Sequence, residues 1–285
     1  MIEKNPLVSV IIPCYNAEKY VEFSIRSMMS QTYRNLEIII TDDCSTDGTF
    51  EILQNLAKED SRIKLYKNEI NLKIVKTLNN MIEVSSGKYI ARMDADDISL
   101  QERIEKQVEF LEKNSDISFL GTNAFLIDEK NFVIGKSHLP LSPNDINIYI
   151  KYANPFFHPT MMLRSDIIKK MRYNEEFFSA EDYELWKRIS SVCKASNLKD
   201  CLVKYRILKT SVSNSFVTKN RQEFLLNILS QPIDDEVYKL SDKRVIANLL
   251  ITKSRRKLTE VSIFYKFIYY SERFFYRIKN AFIKF

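Results

Sequence analysis

Residues 7–43 read LVSVIIPCYNAEKYVEFSIRSMMSQTYRNLEIIITDD, and this stretch decides the fold because its hydrophobic period changes twice. Leu7, Val8, Val10, Ile11 and Ile12 make a short β-rich run that Pro13, lacking an N–H, is expected to close. Over 18–30, Val21, Ile25, Met28 and Met29 recur at near-helical spacing and predict a helix. The apolar run 36–40 then predicts a second, buried strand, followed by the turn-forming cluster of residues 42–48.

The rhythm continues down the chain. Helices are predicted over 49–58 and 73–84, with a strand over 63–66 between them and another over 89–91 after the Ser85-Ser86-Gly87 break. Ser99-Leu100-Gln101-Glu102 matches a capping box and predicts a helix running to about 113. Strands alternating with helices imply an α/β chain with a mostly parallel central sheet flanked by helices. In such sheets ligands bind beyond the carboxyl ends of the strands. Asn16, Asp42, Asp43 and Asp94 all fall there.

The second half is less regular. A strand over 119–127 and a hairpin partner over 132–134 are expected, then strands over 161–163 and 201–205 and a helix over 181–190. Two prolines within residues 154–159 exclude a regular helix there. From 219 onward the pattern turns helical and the composition changes. The expected organisation is a domain over 1–212 and a helical C-terminal extension over 213–285.

Composition narrows the function. With 45% hydrophobic and 28% charged residues the chain is globular rather than disordered. Only four glycines occur (Gly48, Gly87, Gly121 and Gly135), so neither a dinucleotide-binding G-x-G-x-x-G nor a P-loop can be written. Cys14, Cys44, Cys193 and Cys201 form no C-x-x-C pair and no zinc spacing, and read as free thiols in a reducing compartment. No signal peptide is evident and no apolar run approaches a membrane span. A cytoplasmic location follows as the expectation. The formal charge of +6 is uneven: residues 253–285 hold nine Lys/Arg against two Asp/Glu, which leaves 1–252 at −1.

Four motifs carry chemistry. Pro13-Cys14-Tyr15-Asn16 offers an aromatic face and an amide for a base, and a carboxylate from Asp42-Asp43 can accept from a pyrimidine N–H; ordinary turns would use the same residue types. Asp94-Ala95-Asp96-Asp97 crowds three carboxylates, which repel unless a cation relieves them. An Asp-x-Asp after a strand suits Mg²⁺ or Mn²⁺ with phosphate oxygens completing the shell. Asp97 also suits the dipole of the helix that follows. Glu181-Asp182, at a helix start, offers either a dipole-stabilising acid or a general base. His158, between prolines, reads either as a packed loop histidine or as a site residue.

Taken in order, VSVIIPCYNAEKYVEFSIRSMMSQTYRNLEIIITDDCSTDGT, SGKYIARMDADD, NPFFHPTMMLR and SAEDYELWKRI closely resemble glycosyltransferase family 2 over about residues 7–206. The resemblance implies a GT-A fold and transfer of a sugar from a nucleotide-diphosphate donor, with inversion and with Mn²⁺ or Mg²⁺ as cofactor. It implies that Pro13, Tyr15, Asn16, Asp42, Asp43 and Asp94 bind the nucleotide: Asp43 at the base, with Asp42 supporting its loop, and Asp94 at the ribose. It further implies Asp96 as the metal ligand and Asp182 as the catalytic base. His158, Glu181 and Trp186 would lie near the acceptor and diphosphate. Relatives that continue the last strand as Tyr-Arg-x-His have a histidine where this chain has Leu208, so His138 or His158 is a candidate substitute.

The implied partners are a nucleotide-sugar donor, with UDP-sugar the leading class, and a saccharide or lipid-linked glycan acceptor. The setting would be synthesis of a bacterial surface polysaccharide, capsule, lipopolysaccharide or glycoprotein glycan. A non-catalytic nucleotide-sugar-binding scaffold is the alternative that the missing histidine leaves open. In 253–285 basic and aromatic residues interleave, as in an interfacial helix on anionic lipid at the inner face of the plasma membrane. Packing on the chain's own domain or in a homodimer is the competing reading. Nucleic acid is not expected, because the basic excess lies in one apolar-rich tail.

Overall fold

The computed structural model describes residues 5–177, 180–208, 235–242, 244–246 and 249. The expected alternation holds through the first half. Strands β1 (Val8–Cys14), β2 (Leu36–Asp42), β3 (Ile63–Lys67) and β4 (Tyr89–Arg92) are joined by helices α1 (Val21–Met29), α2 (Thr49–Glu59) and α3 (Lys73–Val84). Then follow β5 (Ile98–Ser99), α4 (Arg103–Lys113), β6 (Ile117–Ile127), β7 (Val133–Lys136), α5 (Pro143–Tyr149), β8 (Met162–Arg164), α6 (Ser165–Met171), α7 (Glu181–Ser190) and β9 (Lys194–Arg206). Nine strands form one sheet in the order β3-β2-β1-β4-β8-β6-β9-β5, with β7 paired to β6. The first four are parallel; β8 runs antiparallel to β4 and β6, while β6 and β9 are parallel to each other.

Alternation along β1 explains the layering. Val8, Val10 and Ile12 point to one face, where they pack with Val21, Ile25 and Met28 of α1 and Leu53 and Leu56 of α2. Ile11 points to the other, with Val75, Leu78 and Ile82 of α3 and Leu185, Trp186 and Ile189 of α7. Each such side chain, fully buried, contributes about 1.5–3 kcal/mol. A smaller cluster joins Tyr149, Tyr152 and Ala153 to Val237, Leu240, Val245 and Leu249. There Ser241 N–H donates to Asp145 Oδ1 at 3.1 Å.

Several boundaries differ from expectation, each for a local reason. Pro13 does not close β1, which runs on to Cys14 opposite Asp42. Pairing with β4 ends at Ile11, whose carbonyl accepts from Met93 N–H, and Pro13 shares the direction of Ile11. Its missing N–H therefore faces a side where the ladder has already stopped. Helix α1 starts at Val21 rather than 18, because Glu18 is engaged elsewhere: its N–H donates to Asp47 Oδ2 (3.2 Å) and its Oε2 accepts from Gly48 N–H (2.7 Å). The capping box at Ser99 does not form. Ser99 lies in β5, its N–H donates to Ser27 Oγ at 3.0 Å, and α4 begins at Arg103.

Strand β9 extends eight residues before Leu202, through the polar stretch 194–201, where no apolar run announces it. Side-chain bonds hold that stretch: Ser196 Oγ donates to Leu141 O (2.7 Å), and Asn197 Nδ2 to Pro140 O (2.7 Å) and Pro155 O (3.0 Å). Helix α5 was also not anticipated, although Ser142 caps it by accepting from Asp145 N–H and Pro143 occupies its first turn.

Gly87 lets β4 dock against β1. A Cβ there would stand 2.6 Å from Ser9 N and 2.8 Å from Leu7 O, both backbone atoms that cannot swing away. Its own N–H donates to Ser9 Oγ at 2.8 Å. Gly87→Ala should therefore destabilise the fold by about 1–3 kcal/mol. A denaturant midpoint equal to that of the unaltered chain would refute this reading of the contact.

Candidate active site

The loops after β1 and β2 form one rim at the carboxyl end of the sheet. Asn16 accepts from Thr46 N–H through Oδ1 (2.9 Å), its own N–H donates to Ser45 Oγ (3.0 Å), and Ala17 N–H donates to Thr49 Oγ1 (2.7 Å). Asn16 and Cys44 both adopt left-handed backbone, with φ of 48° and 62°. Such conformations cost free energy for residues other than glycine and gather at functional loops. Tyr15 presents its ring to solvent at 51% exposure, and Pro13 lies partly exposed beneath it.

Asp42 and Asp43 are both buried. Asp42 Oδ2 accepts from Ser45 N–H (3.2 Å) and so shapes the loop. Asp43 accepts from Asn68 Nδ2 (2.7 Å), Leu72 N–H (2.8 Å) and Lys73 N–H (2.9 Å). Three of about four acceptor positions on that carboxylate are thus taken, leaving room for one further donor. Asp43 therefore ties the rim to the start of α3 as well as facing it.

Beside this rim lies the acidic cluster. One carboxylate oxygen from each of Asp94, Asp96 and Asp97 lies within 4.8 Å of the others. Burial, followed by the charge of Asp94, pushes the Asp96 pKa up to about 7. Burial and the charges of Asp96 and Asp94 raise Asp97 well above the usual carboxylate range. Asp97 Oδ1 accepts from Arg206 N–H (2.7 Å), while its buried Oδ2 has no hydrogen-bond partner among the described residues. Asp97 is thus tied to the end of β9 rather than to α4. Three converging hard oxygen donors, one of them orphaned, fit a divalent cation such as Mg²⁺ or Mn²⁺.

Arg206 braces the cluster. Its Nε donates to Asp96 O (2.7 Å), Nη1 to Asp128 O (2.9 Å) and Nη2 to Asn131 Oδ1 (2.7 Å), and its guanidinium lies 4.3 Å from the centre of the Tyr20 ring. It stands two residues before Leu208. Neither histidine replaces the one missing there. His158 Nε2 is 2.7 Å from Tyr173 Oη, and burial lowers its pKa well below the ordinary histidine value. His138 shares charge contacts with Arg244, Lys136 and Asp242 instead.

The opposite wall begins at α7. Asp182 Oδ2 accepts from Asn154 Nδ2 (2.8 Å) and Oδ1 from Tyr183 N–H (2.7 Å), while burial raises its pKa. Burial and the charge of Asp182 bring Glu181 to about 7, and its Oε2 has no hydrogen-bond partner among the described residues. A sequestered carboxylate with raised proton affinity is what a general base for a hydroxyl requires. Trp186 is fully buried against Phe119 (centroids 5.8 Å), Phe156 and His158 (both 5.9 Å). It supports this wall from behind and presents no surface to a substrate, contrary to expectation.

A model of glycosyl transferase family 2 matches residues 9–172, more than half of the chain. The chain belongs to glycosyltransferase family 2. It is 38% identical over 215 residues (73% of this chain, 83% of the relative) to the Escherichia coli O-antigen biosynthesis glycosyltransferase WbnJ. It is 35% identical over 224 residues (77% and 85%) to WfaP of the same species, a UDP-Glc:α-D-GlcNAc-diphosphoundecaprenol β-1,3-glucosyltransferase. Among solved structures, Staphylococcus aureus TarS 1–349 with UDP-GlcNAc superposes at a TM-score of 0.64 and 21% identity, covering 87% of this chain and 72% of that one. The Pyrobaculum calidifontis mannosyltransferase PcManGT with GDP-Man and Mn²⁺ gives 0.60 and 15%, covering 93% and 86%. The fold is the GT-A arrangement of this family, and the chain is a glycosyltransferase.

Within that family frame, the structure brings the expected residues into two groups on one end of the sheet. Pro13, Tyr15, Asn16, Asp42 and Asp43 form the rim and Asp94 and Asp96 the acidic cluster, while Glu181, Asp182 and His158 form the facing wall. Sequence reading passed over Asn154, Tyr173 and above all Arg92, the one charge inside the buried strand YIAR. Burial reduces Arg92 to 4% exposure, and its Nη1 forms an ion pair with Asp94 Oδ2. A cation in an otherwise apolar strand, two residues before an acidic cluster, was the available signal.

Proposed function

We propose that this glycosyltransferase moves a sugar, with inversion, from a UDP-sugar to a hydroxyl of a saccharide or lipid-linked glycan in bacterial surface polysaccharide or lipopolysaccharide synthesis. The observation that carries the reading is the pairing of the two carboxylate groups. A cation-ready trio sits at the end of β4, and an amide-tethered Asp182 stands at the head of α7. The names of WbnJ and WfaP support the pathway and the donor class, and the TarS complex supports a UDP-sugar on this fold.

Asp182 would take the proton of the acceptor hydroxyl as that oxygen bonds to the anomeric carbon, while the bond from that carbon to the diphosphate oxygen breaks on the opposite face. Asn154 and the Tyr183 N–H hold the carboxylate in place for this task. Asp96, with Asp94 and Asp97 around it, would hold Mn²⁺ or Mg²⁺, which as a Lewis acid stabilises charge on the departing diphosphate. The Tyr15 face, Asn16 and the remaining acceptor position of Asp43 would bind the nucleoside. Among the described residues no helix is long and apolar enough to cross a membrane. The basic tail 253–285, proposed as a contact with anionic lipid, lies outside them.

The test is a panel of UDP-glucose, UDP-GlcNAc and GDP-mannose, each with Mn²⁺ or with EDTA, read by release of the nucleoside diphosphate and by calorimetric binding. Release and binding with a UDP-sugar, both abolished by EDTA, are expected. A chain that neither binds nor consumes any nucleotide sugar in Mn²⁺ overturns the proposal.

A further inference from the structure

Arg92 belongs to neither carboxylate group but stands between them. Its backbone is fixed from two sides: its N–H donates to Met161 O (2.9 Å), and Arg103 Nη2 donates to its carbonyl (2.8 Å). Its guanidinium pairs with Asp94, yet Nε and Nη1 find no hydrogen-bond acceptor among the described residues. A buried guanidinium is normally sheathed in acceptors, since an incompletely satisfied one is costly. Here the ion pair leaves much of the charge unspent on local bonds.

We infer that Arg92 is a positioning residue that couples the two halves of the site: paired with Asp94 on the donor side, it keeps Asp182 on the acceptor side ionised and ready to take a proton. The inference rests on the reading of Asp182 as the base only for its consequence for rate; the coupling itself is a property of the free protein. The groups facing Asp182 are Glu181 on its own helix, Arg92 from β4, Asn154 from the loop before β8, and Tyr173 from the loop after α6. Arg92 is the one cation among them. Burial raises the proton affinity of Asp182, and the Arg92 charge opposes that rise; the same charge works against protonation of Glu181 and of His158. Tyr173 closes the ring of contacts, with its Oη on His158 Nε2 and its backbone N–H donating to Asn79 Oδ1 at 3.0 Å.

The sign follows from linkage. A cation nearby favours the charged carboxylate, so its removal raises the Asp182 midpoint and protonates the group at higher pH. The experiment is a ¹³C-carboxylate NMR titration of the full, metal-free chain, with the Asp182 resonance identified by its loss in Asp182→Asn. In Arg92→Met the Asp182 midpoint should lie roughly one pH unit higher, and in Arg92→Lys it should return toward the unaltered value. Coincident midpoints in Arg92→Met and the unaltered chain overturn the proposal, as does a shift that Arg92→Lys fails to reverse. Should Arg92→Met not fold, Asp94→Asn reads the coupling from the other side: an unpaired guanidinium should move the midpoint to lower pH, and an unmoved midpoint overturns the proposal. If Asp182→Asn transfers sugar at full rate while the midpoint still shifts, the base assignment fails and the coupling stands.

Discussion

Asp182→Asn should bind nucleotide sugar and fail to transfer it. The substitution preserves size and most of the hydrogen bonding. Its carbonyl oxygen can still accept from Tyr183 N–H, and Asn154 can turn its own amide to receive the new NH₂. What disappears is the capacity to accept a proton, worth roughly 10²–10⁴-fold in rate for a positioned base. Expected, then, is a fall of that size in kcat with calorimetric UDP affinity in Mn²⁺ little changed. Transfer at the unaltered rate would remove Asp182 from the mechanism. The pH dependence carries the same sign: rate is lost as pH falls and the base takes up a proton. Because burial raises Asp182 above the ordinary aspartate value, that loss should set in at higher pH than a solvent-exposed aspartate would give.

Asp96→Ala should lose transfer for a different reason and betray it by its stability. Loss of several kcal/mol of stabilisation on the leaving diphosphate corresponds to roughly 10²–10⁴-fold in rate. Mn²⁺ should then no longer stimulate what activity remains. Removing a buried carboxylate from beside Asp94 and Asp97 also relieves repulsion, which holds Asp96 near a pKa of about 7. The metal-free variant should therefore melt at the same temperature as the unaltered chain or above it. A dead variant that melts lower has simply been damaged, and Mn²⁺-stimulated transfer at full rate would refute the ligand assignment.

Much of this was legible in the sequence, and the boundary of legibility has physical causes. The strand–helix alternation up to Arg92 could be read because buried parallel strands are continuous apolar runs and their helices keep one apolar face. Strand β9 could not, because residues 194–201 are held by side-chain bonds from Ser196 and Asn197 rather than by apolar burial. The Ser99 capping box misled because a local signal lost to a tertiary bond with Ser27. The acidic motifs announced themselves by crowding. Arg92 and Tyr173 did not, since each acts through groups brought to it by the antiparallel strand β8 from some seventy or more residues away.

That strand has a consequence for how such enzymes can be recombined. Arg92 N–H bonds to Met161 O, and Arg103 Nη2 reaches the carbonyls of both Arg92 and Met161. The donor-binding half and the acceptor wall are thus sewn together along one line of backbone, with Arg103 as the stitch. A chimera that takes residues up to β4 from one relative and the remainder from another cuts across this suture. Its success depends on whether both parents place an arginine at that stitch, not on how well either nucleotide pocket has been conserved.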